Sequence, residues 1–280
     1  MWTPRLLQLG QFRLDAGAMF GMIPRVVWMK WFPQGTIDDA NRMPLQQNCL
    51  LLENDGKLVV VEVGIGDKLA PKERDLYAQE DQGIHHALHT IDCRPEDVSA
   101  VIVTHLHFDH AGGLTRKGSG GHAGEAVLTF PNAEIICQRQ EWHDAIENKS
   151  TMHKTYLRDH LTPDVAARIR LVDADTQVLP GISVVRMPGH TWGQQGVLIN
   201  CAPPDSRLPT RDSRPICFVP DVLPTALHFR PTTNMAYDVE PYVSMCERIK
   251  LLERAHRENW TLVLDHEPGH PVFTAVPDPK

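Results

Sequence analysis

This 280-residue sequence has no C-x-x-C pair, no apolar run long enough to cross a bilayer and no excess of basic charge. Each absence excludes something. The six cysteines stand scattered at 49, 93, 137, 201, 217 and 246. They fit reduced, buried thiols of a cytoplasmic protein better than a disulfide framework. The N-terminus lacks the succession of basic start, apolar core and small-residue cleavage site that marks a signal peptide. Arg25 to Phe32 is apolar, but it carries charges and is far too short to span a membrane. It reads as core, as pocket wall or as a partner-facing surface, which leaves a homodimer open. A formal net charge of -7 argues against non-specific nucleic-acid binding, because such binding needs a basic surface to displace counterions. No repeat at solenoid spacing and no long linker is present. No G-x-S-x-G elbow offers a serine nucleophile. With 42% hydrophobic and 22% charged residues, an ordinary globular mixture, the chain reads as a single α/β domain over residues 1–280.

What the chain does have is fifteen histidines and a regular interleaving of strands and helices. Leu50 to Glu53 and Lys57 to Val63, joined by Asn54-Asp55-Gly56, read as a β-hairpin with a tight turn. Residues 68 to 92 read as partly helical, with Ile84, Leu88 and Ile91 on one face. Val98 to Val103 is a compact β-branched run, the mark of a buried strand. Ala133 to Cys137, Ile182 to Met187, Gly196 to Ile199, Ile216 to Val219 and Thr261 to Leu264 read as further strands. Gln138 to Asn148 and Tyr242 to Glu258 read as helices. In the second, Val243, Cys246, Ile249, Leu252 and Ala255 or His256 recur at helical spacing. Gly118 to Gly124 and Ala202 to Pro215 read as polar loops.

Directly after the Val98 strand comes Thr104-His105-Leu106-His107-Phe108-Asp109-His110, which sets four potential metal ligands close together. Side chains two apart in an extended segment point the same way, so His105 and His107 share a side. The turn into Ala111-Gly112-Gly113 aims Asp109 and His110 at a second point nearby. Imidazole together with carboxylate suits zinc, iron, manganese or cobalt rather than calcium. His190, Asp221 and His266 each follow a strand as well. Ligand groups in open α/β architectures gather beyond the carboxyl ends of strands, so these clusters are placed to converge on one rim.

The remaining candidates carry less. His266-Glu267-Pro268-Gly269-His270 spells the H-E-x-x-H zinc pattern, but Pro268-Gly269 would break the helix that motif needs. His270 is then a loop residue or lines a pocket. His85, His86 and His89 read as a solvated helix face rather than a metal pair. His122, His143, His153 and His160 show no partner. His228 and Tyr237 follow Asp221 closely enough to reach a substrate. Trp28, Trp31 and Phe32 either pack in the core or wall an apolar pocket.

In order and local context, His105-x-His107-x-Asp109-His110, Gly189-His190-Thr191, Asp221 and His266 resemble the metallo-β-lactamase superfamily, over about residues 48 to 270. The resemblance implies a four-layer αβ/βα sandwich with two divalent metal ions at one edge, zinc first and iron, manganese or cobalt as alternatives. It implies His105, His107 and His190 on one ion, Asp109, His110 and His266 on the other, and Asp221 bridging both. The chemistry it implies is attack by a metal-activated hydroxide on an ester-like bond of a small-molecule substrate. Asp109 or Asp221 then passes a proton to the leaving group.

Within the superfamily, His-Leu-His-Phe-Asp-His-Ala-Gly-Gly is most similar to the N-acyl homoserine lactone lactonases. That puts a lactone ahead of a thioester, as in hydroxyacylglutathione hydrolases, or a phosphoester. From other classes, a di-iron redox protein and a non-catalytic binding module are the alternatives. The former usually has Glu where His107 stands, and the latter tends to lose ligands. Two departures stand out. Those lactonases place a tyrosine shortly after the bridging aspartate, where Val222-Leu223-Pro224 follows here. Many members also carry Asp where this chain has Glu62, a carboxylate expected to support the ligands rather than join them.

Overall fold

The computed structural model describes residues 1–80, 82–118, 126–152, 154–201 and 214–275. Nearly all of the two expected polar loops, together with His122 and His153, therefore lies outside the described residues. Along the first half run β1 (Thr3–Asp15), β2 (Arg42–Asn54), β3 (Lys57–Val61) and β4 (Val98–Ile102). A small hairpin follows, β5 (Thr115–Lys117) with β6 (Ala126–Leu128), and then β7 (Glu134–Gln138) and β8 (Ile169–Val172). The second half supplies β9 (Thr176–Leu179), β10 (Ile182–Arg186), β11 (Gln195–Ile199), β12 (Ile216–Val219), β13 (Thr261–Leu264) and β14 (Val272–Thr274). Two six-stranded sheets result, in the orders β1-β2-β3-β4-β7-β8 and β14-β13-β12-β11-β10-β9. The β2–β3 turn uses left-handed backbone at Asp55 and Gly56, with φ of 49° and 76°, the geometry a tight hairpin requires.

Alternation along each strand builds the layers, since successive side chains face opposite ways. Leu50, Val59, Val61, Ala100, Ile102 and Ile136 of the first sheet meet Val184, Val197, Ile216, Phe218 and Val263 of the second in one buried cluster. The intervening Val60, Val101 and Ile135 face outward onto Leu88 and Ala145 of the helices Ile84–His89 and Arg139–Glu147. Cys217, Val219, Leu262 and Leu264 face outward onto Leu251 and Ala255 of the helix Pro241–Arg257. The architecture is thus the expected αβ/βα sandwich. Fully burying each large apolar side chain contributes roughly 1.5–3 kcal/mol.

Two readings need correction. The long helix Pro241–Arg257 buries Ser244, Arg248, Leu251 and Ala255, so of the expected stripe Ala255 is buried while Val243, Cys246, Ile249 and Leu252 are only half-buried. Arg248 donates to the carbonyls of Val222 at 2.6 Å, Pro231 at 2.8 Å and Thr233 at 2.7 Å. Satisfying these buried carbonyls outweighs the apolar count and fastens the loop after β12 to the helix. The sequence reading also missed β1, the edge strand paired antiparallel with β2, and the short strands β5, β6, β8, β9 and β14.

The Arg25–Phe32 segment is a short helix followed by a 3-10 turn. Trp28, Trp31 and Phe32 pack around Phe20 as core. Met22, Val26 and Val27 face outward. No helix among the described residues is long and apolar enough to cross a membrane.

Candidate metal centre

Four strand ends meet at one edge of the sandwich. Beyond β4 the chain carries His105 and His107, then a single helical turn, Phe108–Ala111, with His107 at its start. Gly112 and Gly113 let that turn lie on the segment leaving β3. A Cβ on either would stand 2.1 Å from a backbone oxygen, that of Ile65 or of Val63. His190 follows β10, Asp221 follows β12 and His266 follows β13. All seven residues singled out as ligands are buried here.

The donor atoms fall into two groups. In the first, His107 Nδ1 lies 3.1 Å from His105 Nε2 and 3.0 Å from His190 Nε2. Three ring nitrogens aimed at one another cannot all be satisfied by shared protons, whereas a cation among them satisfies all three. In the second, His266 Nε2 lies 3.1 Å from His110 Nε2 and 3.4 Å from Asp221 Oδ1, while the expected ligand Asp109 stands beside the group rather than in it, its Oδ2 3.6 Å from His266 Nε2. The other oxygen of Asp221 stands 3.1 Å from His190 Nε2 and 3.6 Å from His110 Nε2. Asp221 therefore touches both groups. Asp265, which the sequence reading passed over, joins His110, Asp221 and His266, with donor atoms all within 4.8 Å of one another. The donor set of imidazoles and carboxylates fits divalent metal ions.

Behind these groups stands a layer of supports. His105 Nδ1 pairs with Thr104 Oγ1 at 3.0 Å, His190 Nδ1 with Asp238 at 3.1 Å, and His266 Nδ1 with the Gln46 carbonyl at 3.0 Å. His110 Nδ1 pairs with Glu62 at 2.8 Å, the position foreseen for that carboxylate. Such partners fix ring orientation and tautomer. Glu141 was not foreseen. Its carboxylate accepts from Leu106 N, the Tyr156 hydroxyl and the Thr191 hydroxyl, and so ties the His105–His107 segment to the His190 loop.

Charge in the site follows from burial and neighbours. Burial pushes the His105 and His107 rings well below the ordinary histidine range, and the surrounding imidazoles push further. Burial lowers His190 too, but Asp221 and Asp238 outweigh it and its value rises. Burial opposes ionisation of Asp221, yet His190 and His266 hold it well below the usual carboxylate range. Burial lowers His110 as well, but Asp109 and Glu62 outweigh it and hold that ring well above the ordinary range, so the ionised Asp221 and the neutral His105 and His107 rings are the groups already in the state a metal requires.

The site opens into a cavity of about 120 Å³ with apolar walls that include Leu14, Met19, Phe108 and Met235. His107, Asp109, His190, Asp221 and His266 reach it, as do Tyr77 and Tyr237. A larger hollow of about 580 Å³ lies elsewhere, beside His85, His86 and His89. No group of three metal-type ligands occurs there among the described residues. These three histidines are exposed, as expected of a solvated helix face.

His160 and His228 are structural. His160 is buried with Nε2 3.1 Å from the Leu106 carbonyl, so it does have a partner. His228 is spent on Thr225 Oγ1 at 2.8 Å and the Met19 carbonyl at 2.9 Å, stacked on Phe20. Tyr237 lines the pocket, and His270 is an exposed loop residue.

Comparison with known proteins agrees with this geometry. The family model of the metallo-beta-lactamase superfamily matches residues 42–116. An N-acyl homoserine lactonase from a Bacillus species is 27% identical over 227 residues, covering 77% of this chain and 79% of its own. A probable metal-dependent hydrolase from Staphylococcus aureus superposes with a TM-score of 0.81 at 24% identity, over 100% of this chain and 98% of that one. AidC, a dizinc quorum-quenching lactonase solved with the product N-hexanoyl-L-homoserine, gives 0.76 at 18% identity, over 99% and 92%. The structural likenesses establish the fold. With the superfamily model matching the motif-bearing segment and the lactonase likeness extending well beyond it, the chain is similar to proteins of the metallo-beta-lactamase superfamily and, among them, to N-acyl homoserine lactonases.

Proposed function

We propose that the protein is a dinuclear metal-dependent hydrolase whose substrate is a lactone bearing an apolar substituent. One observation carries the reading: two donor groups share the two oxygens of Asp221 at the floor of an apolar pocket. His105, His107 and His190 would hold one ion, His110, His266 and Asp109 the other, and Asp221 both. Zinc comes first, because three imidazoles suit it and the similarly folded AidC is a dizinc protein. Held by these residues, two divalent ions would supply a Lewis acid for a carbonyl and a means of activating water at neutral pH.

The rest falls to the chain. Met19, Phe108 and Met235 hold the apolar part of the substrate and exclude water. Asp109 and Asp221 both reach the pocket, where either can carry a proton to the departing alkoxide. Asp238 and Glu62 keep the outer nitrogens of His190 and His110 occupied, so the inner ones face the centre. Tyr77 and Tyr237 offer pocket hydroxyls where Val222-Leu223-Pro224 supplies none. The lining favours a lactone over a phosphoester, because Lys154 is the one cation among the described lining residues and phosphoester recognition draws on clustered cations.

Elemental analysis of the purified protein, paired with proton release from N-acyl homoserine lactones, tests the reading. The expected result is about two equivalents of metal and hydrolysis that a chelator stops and added metal restores. Protein that stays inactive after metal is returned overturns it. Turnover of thioesters alone overturns the lactone and leaves the hydrolase.

A further inference from the structure

Asp265 is about as sealed as a residue can be, at 1% exposure, and neither of its carboxylate oxygens has a hydrogen-bond partner. A buried carboxylate without donors is costly unless a cation stands beside it. One of its oxygens lies within 4.8 Å of the donor atoms of His110, Asp221 and His266. Asp221 Oδ1, in the same group, also lacks a hydrogen-bond partner. Asp109 lines the pocket beside this group, whereas Asp265 is absent from the pocket wall and buried.

We infer that Asp265 is a ligand of the second metal ion, and that it biases this position toward manganese or ferrous iron while the three-imidazole position keeps zinc. The inference rests on the two-metal reading above. The first position draws its protein nitrogens from His105, His107 and His190. The second pairs two imidazoles with carboxylates of Asp109, Asp221 and Asp265. Oxygen-rich donor sets suit manganese, and imidazole-rich sets suit zinc. Zinc still binds more tightly than manganese in absolute terms, as the general order of divalent affinities requires. What Asp265 changes is the gap between them.

Chelator-stripped protein loaded with one zinc per chain is titrated with manganese, free manganese being read by electron paramagnetic resonance, and in parallel with further zinc. Wild type is expected to take up a second equivalent of either ion. In Asp265→Asn the manganese affinity should fall at least about tenfold more than the zinc affinity, the scale on which losing even a supporting residue is felt. Equal losses for both ions make Asp265 a positioning residue and overturn the inference, as does no loss at all. Wild type that accepts no second ion overturns the two-metal reading itself. If Asp265→Asn loses the first zinc, its fold has failed, and Asp265→Ser carries the same comparison.

Discussion

Glu141→Ala should loosen the first metal group from behind. The carboxylate accepts from Leu106 N at 2.9 Å, the Tyr156 hydroxyl at 3.1 Å and the Thr191 hydroxyl at 2.5 Å. Leu106 separates His105 from His107, and Thr191 follows His190, so one side chain braces all three imidazoles. Truncation leaves three buried donors, each costing roughly 1–3 kcal/mol. Part of that returns because a desolvated carboxylate disappears, burial having already pushed the Glu141 carboxyl upward. The net loss is about 4 kcal/mol, which in a domain of this size lowers the melting temperature by roughly 8–16 °C. Glu141→Gln keeps the shape, and Thr191 can turn its hydroxyl to accept from the amide, so about 1–2 kcal/mol is expected. Zinc affinity should drop about 10–100-fold in either variant. Scanning calorimetry and zinc competition read the two effects. A Glu141→Ala protein melting within about 2 °C of wild type, with zinc held as tightly, would refute the bracing role.

Other perturbations follow from the same geometry. His107→Ala removes one of three converging imidazoles, so hydrolysis should vanish and metal content fall to about one equivalent; full metal with full rate would mean the ligand set is wrong. Gly112→Ala drives a Cβ to 2.1 Å from the Ile65 carbonyl oxygen, backbone against backbone, and should cost about 2 kcal/mol or more in urea unfolding. An unchanged midpoint would show that the turn can shift freely. Burial lowers His228 from the ordinary 6.5 to about 4. The unfolded chain therefore takes up this proton first as pH falls. Stability from the neutral ring is whole above about pH 6.5 and fades down to about pH 4, by roughly 3 kcal/mol. His228→Gln should show a shallower acid slope in urea midpoints, and identical slopes would sink the assignment.

Two of the strands that were read correctly owe it to burial on both faces. Val59 to Val61 and Ala100 to Ile102 are packed from the inner and the outer side, so each reads as an unbroken apolar run. β1 escaped because Gln8, Gln11 and Arg13 break its pattern at an edge where one face meets solvent. The long helix was located, but its buried face was not. Helical spacing pointed to Val243 and Ile249, while the carbonyls of Val222, Pro231 and Thr233 needed a donor and Arg248 supplied it.

The sequence by itself determined the metal chemistry and the fold class, because both rest on short-range properties. Four ligating residues within one strand-to-helix turn need no distant information, nor does the alternation that separates inner from outer strand faces. Which carboxylates serve that chemistry was decided only by packing. Glu141 and Asp238 gain their roles through contacts 35 and 48 residues away along the chain. Asp109 and Asp265 look alike in sequence, each beside a histidine past the end of a strand. In three dimensions one lines the pocket, and the other is sealed with both oxygens lacking a hydrogen-bond partner. Residue type sets what a side chain can bind, but only the tertiary structure sets what surrounds it.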